Sequence, residues 1–221
     1  MTKPRFLLLL ASCFIVIVLL AIRRYRLHAA VAAECATAYT AMHDKGDLTA
    51  AQSYLQHAAA LAPTDEEVVA LTHYLNGFAA FKQDHCREAV QEFEAVLEYY
   101  PYDVFLQMMV EEAKSSLDFD AGNYQSYLAH RRSLASVRPQ DPYTAASVAS
   151  AYACLYVTEH NEKRAAAAHT WLNNAKQLGK PDDAALALLC QRIEHRLATK
   201  QIITAQQFTQ QFPNGWPTPE K

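Results

Sequence analysis

Gly46-Asp-Leu-Thr-Ala-Ala-Gln-Ser-Tyr-Leu-Gln-His-Ala-Ala-Ala-Leu-Ala-Pro63-Thr-Asp65 is the stretch whose reading decides the fold. Ala51, Leu55 and Ala58 fall three to four residues apart, the spacing of one buried helix face. Pro63 cannot continue that helix, and Asp65, two residues later, is placed to cap the next one. The same Pro-x-Asp signal returns at Pro101-Tyr-Asp103, Pro139-Gln-Asp141 and Pro181-Asp-Asp183, so that successive prolines stand about 40 residues apart. A near-constant period of this size marks stacked supersecondary units.

Working outward, the second unit sets Ala89, Phe93 and Val96 where the first has Ala51, Leu55 and Ala58. The third sets Tyr127, Arg131 and Leu134 there, and the fourth, shifted by one, Ala168, Leu172 and Ala175. Small residues let paired helices approach, and large ones fill the groove between hairpins. Composition agrees: 51% of residues are hydrophobic and only five of the 221 are glycine, a mixture suited to close-packed helices. The fold class expected is all-α, with helices over 29–44, 48–61, 66–83, 86–99, 104–120, 124–137, 142–158, 162–178, 183–198 and 204–211. The tail from Phe212 is turn-rich, and Trp216 is expected to cap the last hairpin.

Gly46-Asp47-Leu48…Ala51…Leu55…Ala58…Pro63 and Gly77…Ala89…Phe93…Val96…Pro101 resemble tetratricopeptide repeats, with Gly122-Asn123-Tyr124…Leu134…Pro139 a third, less complete match. The resemblance covers residues 30–180 and implies an α-solenoid of TPR-like helical hairpins, with units at 29–63, 64–101, 102–139 and 140–181 and a partial one at 182–212. It also implies recognition of a protein partner by the first helix of each unit, and no catalysis. On such a helix Tyr74, Phe78 and Phe81 recur at helical spacing beside Lys82, which makes them the candidate partner-binding residues, although a core stripe has the same spacing. Self-association is compatible with the same surfaces.

Ahead of the repeats, residues 6–22 run seventeen positions without a charge, Pro or Gly. That is near the lower limit for a helix crossing a ~30 Å hydrocarbon layer. Arg5 on one flank and Arg23, Arg24, Tyr25 and Arg26 on the other would sit at the membrane interface. The expectation is therefore a transmembrane helix within residues 1–28 and a single-pass membrane scaffold over 29–198, with an irregular tail at 213–221. Its partners would be the lipid bilayer and a protein, such as another membrane protein. Basic residues on both flanks leave the orientation balanced. Leu10-Ala11-Ser12-Cys13 also resembles a lipobox, and the alternative expectation is a lipid-anchored envelope assembly factor lipidated at Cys13. No breaker interrupts residues 6–45, so the apolar segment is expected to run into the first repeat helix without a linker.

Charge and chemistry exclude other classes. Residues 1–28 carry five Lys or Arg and no acid, leaving 15 basic against 23 acidic residues afterwards. A net −8 on the repeats argues against nucleic-acid binding, which needs clustered cations. Of five scattered cysteines, Cys35, Cys86, Cys154 and Cys190 read as small buried hydrophobes. There is no His-Glu-x-x-His, Cys-x-x-Cys or Gly-rich phosphate loop, so no metal or cofactor is expected. His85-Cys86 is the one adjacent pair of reactive types, with no third partner nearby in sequence. Glu111-Glu112, and Glu92 with Glu94 and Glu98, read as solvated faces. His130-Arg131-Arg132 reads as a small exposed basic patch.

Overall fold

The computed structural model describes residues 3–213, with side chains described from Ile17 onward. These residues form ten α-helices and no strand: α1 Lys3–His43, α2 Leu48–Leu61, α3 Glu66–Lys82, α4 Cys86–Tyr99, α5 Val104–Asp120, α6 Tyr124–Val137, α7 Pro142–Glu159, α8 Glu162–Leu178, α9 Ala184–Thr199 and α10 Ala205–Gln211. The all-α expectation holds, and five of the helices have the bounds read from the sequence. Trp216 lies outside the described residues.

The local chemistry repeats with the period. Helices α2, α4, α6 and α8 begin at Leu48, Cys86, Tyr124 and Glu162, and α3, α5 and α7 at Glu66, Val104 and Pro142, with the same interval between each start and the next in its series. Asp65, Asp141 and Asp183 each accept backbone N–H bonds at the start of α3, α7 and α9. Asp47 and Asn161 do the same for α2 and α8. Ala62, Tyr100 and Arg138 end α2, α4 and α6, each donating its N–H to the carbonyl of Ala58, Val96 or Leu134. The proline that follows each of them disfavours another helical residue. The turn between the two helices of a hairpin holds one left-handed residue per interval: Gly46, Asp84, Gly122 and His160, with φ of 63°, 62°, 73° and 51°.

The chain divides into two compact units, Met1–Asp103 and Val104–Lys221. In the first, α1 packs on α2 and α3, and α3 packs on α4. Val31, Cys35, Ala38 and Met42 form the buried stripe of α1 and meet a core that includes Ala51, Leu55 and Ala58 of α2. In the second, α5 pairs with α6, and α7 touches α6, α8 and α9. α7 is buried on nearly every side. Its Ala145, Ala149 and Ala153 share a cluster with Ala168, Leu172 and Ala175 of α8 and with Leu186, Cys190 and Ile193 of α9. Val148, Ala151 and Leu155 meet Tyr127 and Leu128 of α6. Phe208 of α10, wholly buried, closes this unit by packing edge-on against His195.

The amino-terminal expectation needs correction. α1 is one uninterrupted helix of 41 residues, as the lack of breakers implied. Among the described residues, however, no helix is long and apolar enough to cross a membrane. The expected transmembrane helix and the single-pass membrane placement built on it therefore do not hold. The physical reason is length: the uncharged run of residues 6–22 is seventeen positions, short of the ~20 predominantly apolar residues that a span requires. Arg23, Arg24, Tyr25 and Arg26 are exposed positions on this helix and lose the membrane-interface role assigned to them. The side chains of Arg5 and Cys13 lie outside the described residues.

Candidate functional site

The aromatic stripe singled out on α3 is part of the core of the first unit. Tyr74 is buried, Phe78 and Phe81 are partly buried, and Lys82 is exposed in the last turn. Tyr74 stacks on His43 of α1 at 5.5 Å between ring centres, and its hydroxyl shares a 2.8 Å hydrogen bond with His43 Nε2. Burial, followed by the neighbouring Tyr39 and Asp103, pushes the Tyr74 phenol well above its ordinary range. Phe78 meets His43, Tyr74 and Phe93 at 6.3, 5.6 and 6.3 Å. Tyr39, one turn before His43 on α1, packs on it at 4.2 Å and is 50% exposed. Five rings thus run from the surface at Tyr39 to the fully buried Phe93.

Gly77 explains how two aromatic-bearing helices come so close. A Cβ at that position would lie 2.7 Å from the Phe93 ring, so the missing side chain is the space that Phe93 occupies. Beside it His73 Nδ1 and Glu92 Oε2 join α3 to α4 at 2.7 Å.

The equivalent positions of the second unit carry other chemistry. Glu111 stands one interval after His73 and His130 one interval after Glu92, and this pair joins α5 to α6 at 2.8 Å with acid and base exchanged. His130 Nε2 also reaches Asp118 at 3.2 Å. Tyr74 and Phe93 become Glu112 and Arg131, which form an ion pair. Arg131 lies over the Tyr127 ring at 5.2 Å. Burial works against its charge, but Tyr127 and Glu112 together raise the guanidinium above its ordinary range. The basic patch read at His130-Arg131-Arg132 is therefore largely neutralised within the hairpin, and Glu92, Glu111 and Glu112 are bridging groups instead of solvated ones.

No constellation for catalysis assembles from the pairs the sequence raised. The Cys86 thiol is buried and donates toward Asp84 at 3.6 Å, while His85 leans on Glu88 at 3.5 Å. Among the described residues no group of three or more His, Cys, Asp or Glu could hold a metal ion. Cys35 and Cys154 are buried thiols that burial, first among their causes, pushes up to about 11, so both keep their protons at neutral pH.

No family model, curated protein or solved structure matches this chain. Its surface chemistry therefore has to carry the functional reading. The exposed end of the ring ladder is the most distinctive feature of the first unit, and its outermost members, Tyr39 and His43, escape the sequence reading. Their spacing of four positions on one helix is an available signal, hidden within the stretch that reads as an extension of the apolar segment.

Proposed function

We propose that the chain is a TPR-like helical-hairpin scaffold that holds a segment of a partner protein and catalyses no reaction. The observation that carries this reading is the recurrence of the whole hairpin at one fixed interval, from left-handed turn through helix starts to pre-proline ends. Repetition of a supersecondary unit builds extended surface, and extended surface suits recognition. The binding edge we assign lies on the first unit and is made by Tyr39, Phe78 and Lys82. Tyr39 and Phe78 both contact the His43 ring, and Lys82 follows Phe78 by one turn on α3. Part-exposed aromatic rings on a rigid base are side chains suited to anchor an interface, and Lys82 favours a partner segment with an acid beside its apolar group. The partly buried Phe81 supports this edge from within.

A photo-crosslinking amino acid placed at Tyr39, and separately at the exposed Gln56 of α2, tests this in producing cells. The reading predicts one discrete adduct from position 39, diminished by Lys82→Glu, and none from position 56. Equal labelling at both positions, or none at 39, would contradict it.

A further inference from the structure

α9 carries two arginines one turn apart, Arg192 and Arg196, which therefore share a face of the helix. Arg196 is only 3% exposed. Its Nη1 donates to the Ser150 carbonyl oxygen at 3.3 Å, to Ser150 Oγ at 2.8 Å and to Cys154 Sγ at 3.1 Å, and its guanidinium lies 5.7 Å from the centre of the Phe119 ring. Every one of these partners is neutral, and the Cys154 thiol stays protonated because its burial outweighs the pull of both arginines. Nε of Arg192 and Nε of Arg196 are buried with no hydrogen-bond partner. Among the described residues Arg131, Arg164 and Lys176 are paired with a carboxylate, and Arg192 and Arg196 are not.

Buried cations are ordinarily paired, because the charge leaves water at a cost that only an opposite charge and full hydrogen bonding offset. Here two of them adjoin, and like charges one turn apart repel. Burial, and then the Arg196 charge beside it, pull the Arg192 guanidinium below its ordinary range. We propose that Arg192 and Arg196, with Ser150 beneath them, form an oxyanion site that takes a phosphate group. Arg196 is the donor fixed by α7, and the partly exposed Arg192 reaches the anion from the solvent side. Two guanidinium forks offer parallel N–H donors, and a phosphate group near −2 balances both charges as a single carboxylate would not.

Titration calorimetry on the full chain, with inorganic phosphate and separately with glycerol phosphate at matched ionic strength in chloride, tests the site. The expected result is saturable one-to-one binding that weakens at least tenfold in Arg192→Ala, with unchanged helical circular dichroism. Arg192→Lys, which keeps the charge and loses the fork, should weaken it less, and Arg138→Ala, at an exposed position, should leave it unchanged. Tighter binding of glycerol phosphate assigns the site to a phosphoryl group on a small molecule, and tighter binding of inorganic phosphate to the free ion. Absence of saturable binding by either, or undiminished binding in Arg192→Ala, overturns the proposal.

Discussion

The hairpins α3/α4 and α5/α6 occupy equivalent places in the repeating register, yet they join their two helices by opposite means. In α3/α4 the central contact is Tyr74 against Phe93, with Gly77 leaving room for the ring. In α5/α6 it is Glu112 against Arg131, with Tyr127 filling space under the guanidinium where α4 has only Ala89. The flanking His–Glu bridge survives in both with its ends exchanged. The comparison teaches that the register fixes which positions meet, while the chemistry at those positions is free to change if volume and charge remain balanced across the pair.

The largest way to break this comparison is to empty the aromatic hairpin. Phe93 is fully buried, and Phe93→Ala should lower the unfolding free energy by about 3–5 kcal/mol in urea denaturation of the whole chain. A loss below about 1 kcal/mol would mean the ring is not the tie between α3 and α4. Removing one end of the ionic tie should matter less. Glu112→Ala strands Arg131, whose Nε already lacks a partner, and should cost roughly 1–3 kcal/mol. The double change Glu112→Leu with Arg131→Met should recover part of that loss, since no unpaired charge remains. Smaller still is the turn. His160 occupies the left-handed position that Gly46 and Gly122 fill elsewhere, so His160→Gly should raise stability by roughly 1 kcal/mol. An unchanged midpoint would show that His160 is not strained. The smallest effect sharpens the comparison most finely: exchanging His73→Glu with Glu92→His reproduces the arrangement of α5/α6. The double variant should stay within about 0.5 kcal/mol of the parent, because a partly exposed bridge contributes little in either orientation.

Much of the fold is legible in the sequence because its punctuation is local. A proline that stops a helix and an aspartate that caps the next act over a few positions, so Pro63-Thr-Asp65 and its repeats place helix ends correctly. The gaps at 84–85 and 159–161 are legible, but the left-handed conformation of Asp84 and His160 is not, since the residue there is not glycine and leaves no compositional mark. Glu92, Glu111 and Glu112 read as solvated charge although they form bridges, because a contact between two helices depends on which of their faces meet. The stripe of Tyr74, Phe78 and Phe81 is visible as a stripe, but helical spacing does not say whether the face it marks turns to a partner or to the core. Arg196 is invisible for the same reason: its burial comes from α5 and α7, far away in sequence.

The measurement that tests the account most directly is a pair of double-mutant cycles, Tyr74/Phe93 and Glu112/Arg131, run at low salt and at high salt. The register account predicts coupling at both pairs, about 0.5–1.5 kcal/mol for the aromatic one, with only the Glu112/Arg131 coupling declining as salt rises. Coupling indistinguishable from zero at either pair, or the same response to salt at both, would contradict the claim that one register holds the two hairpins by two chemistries.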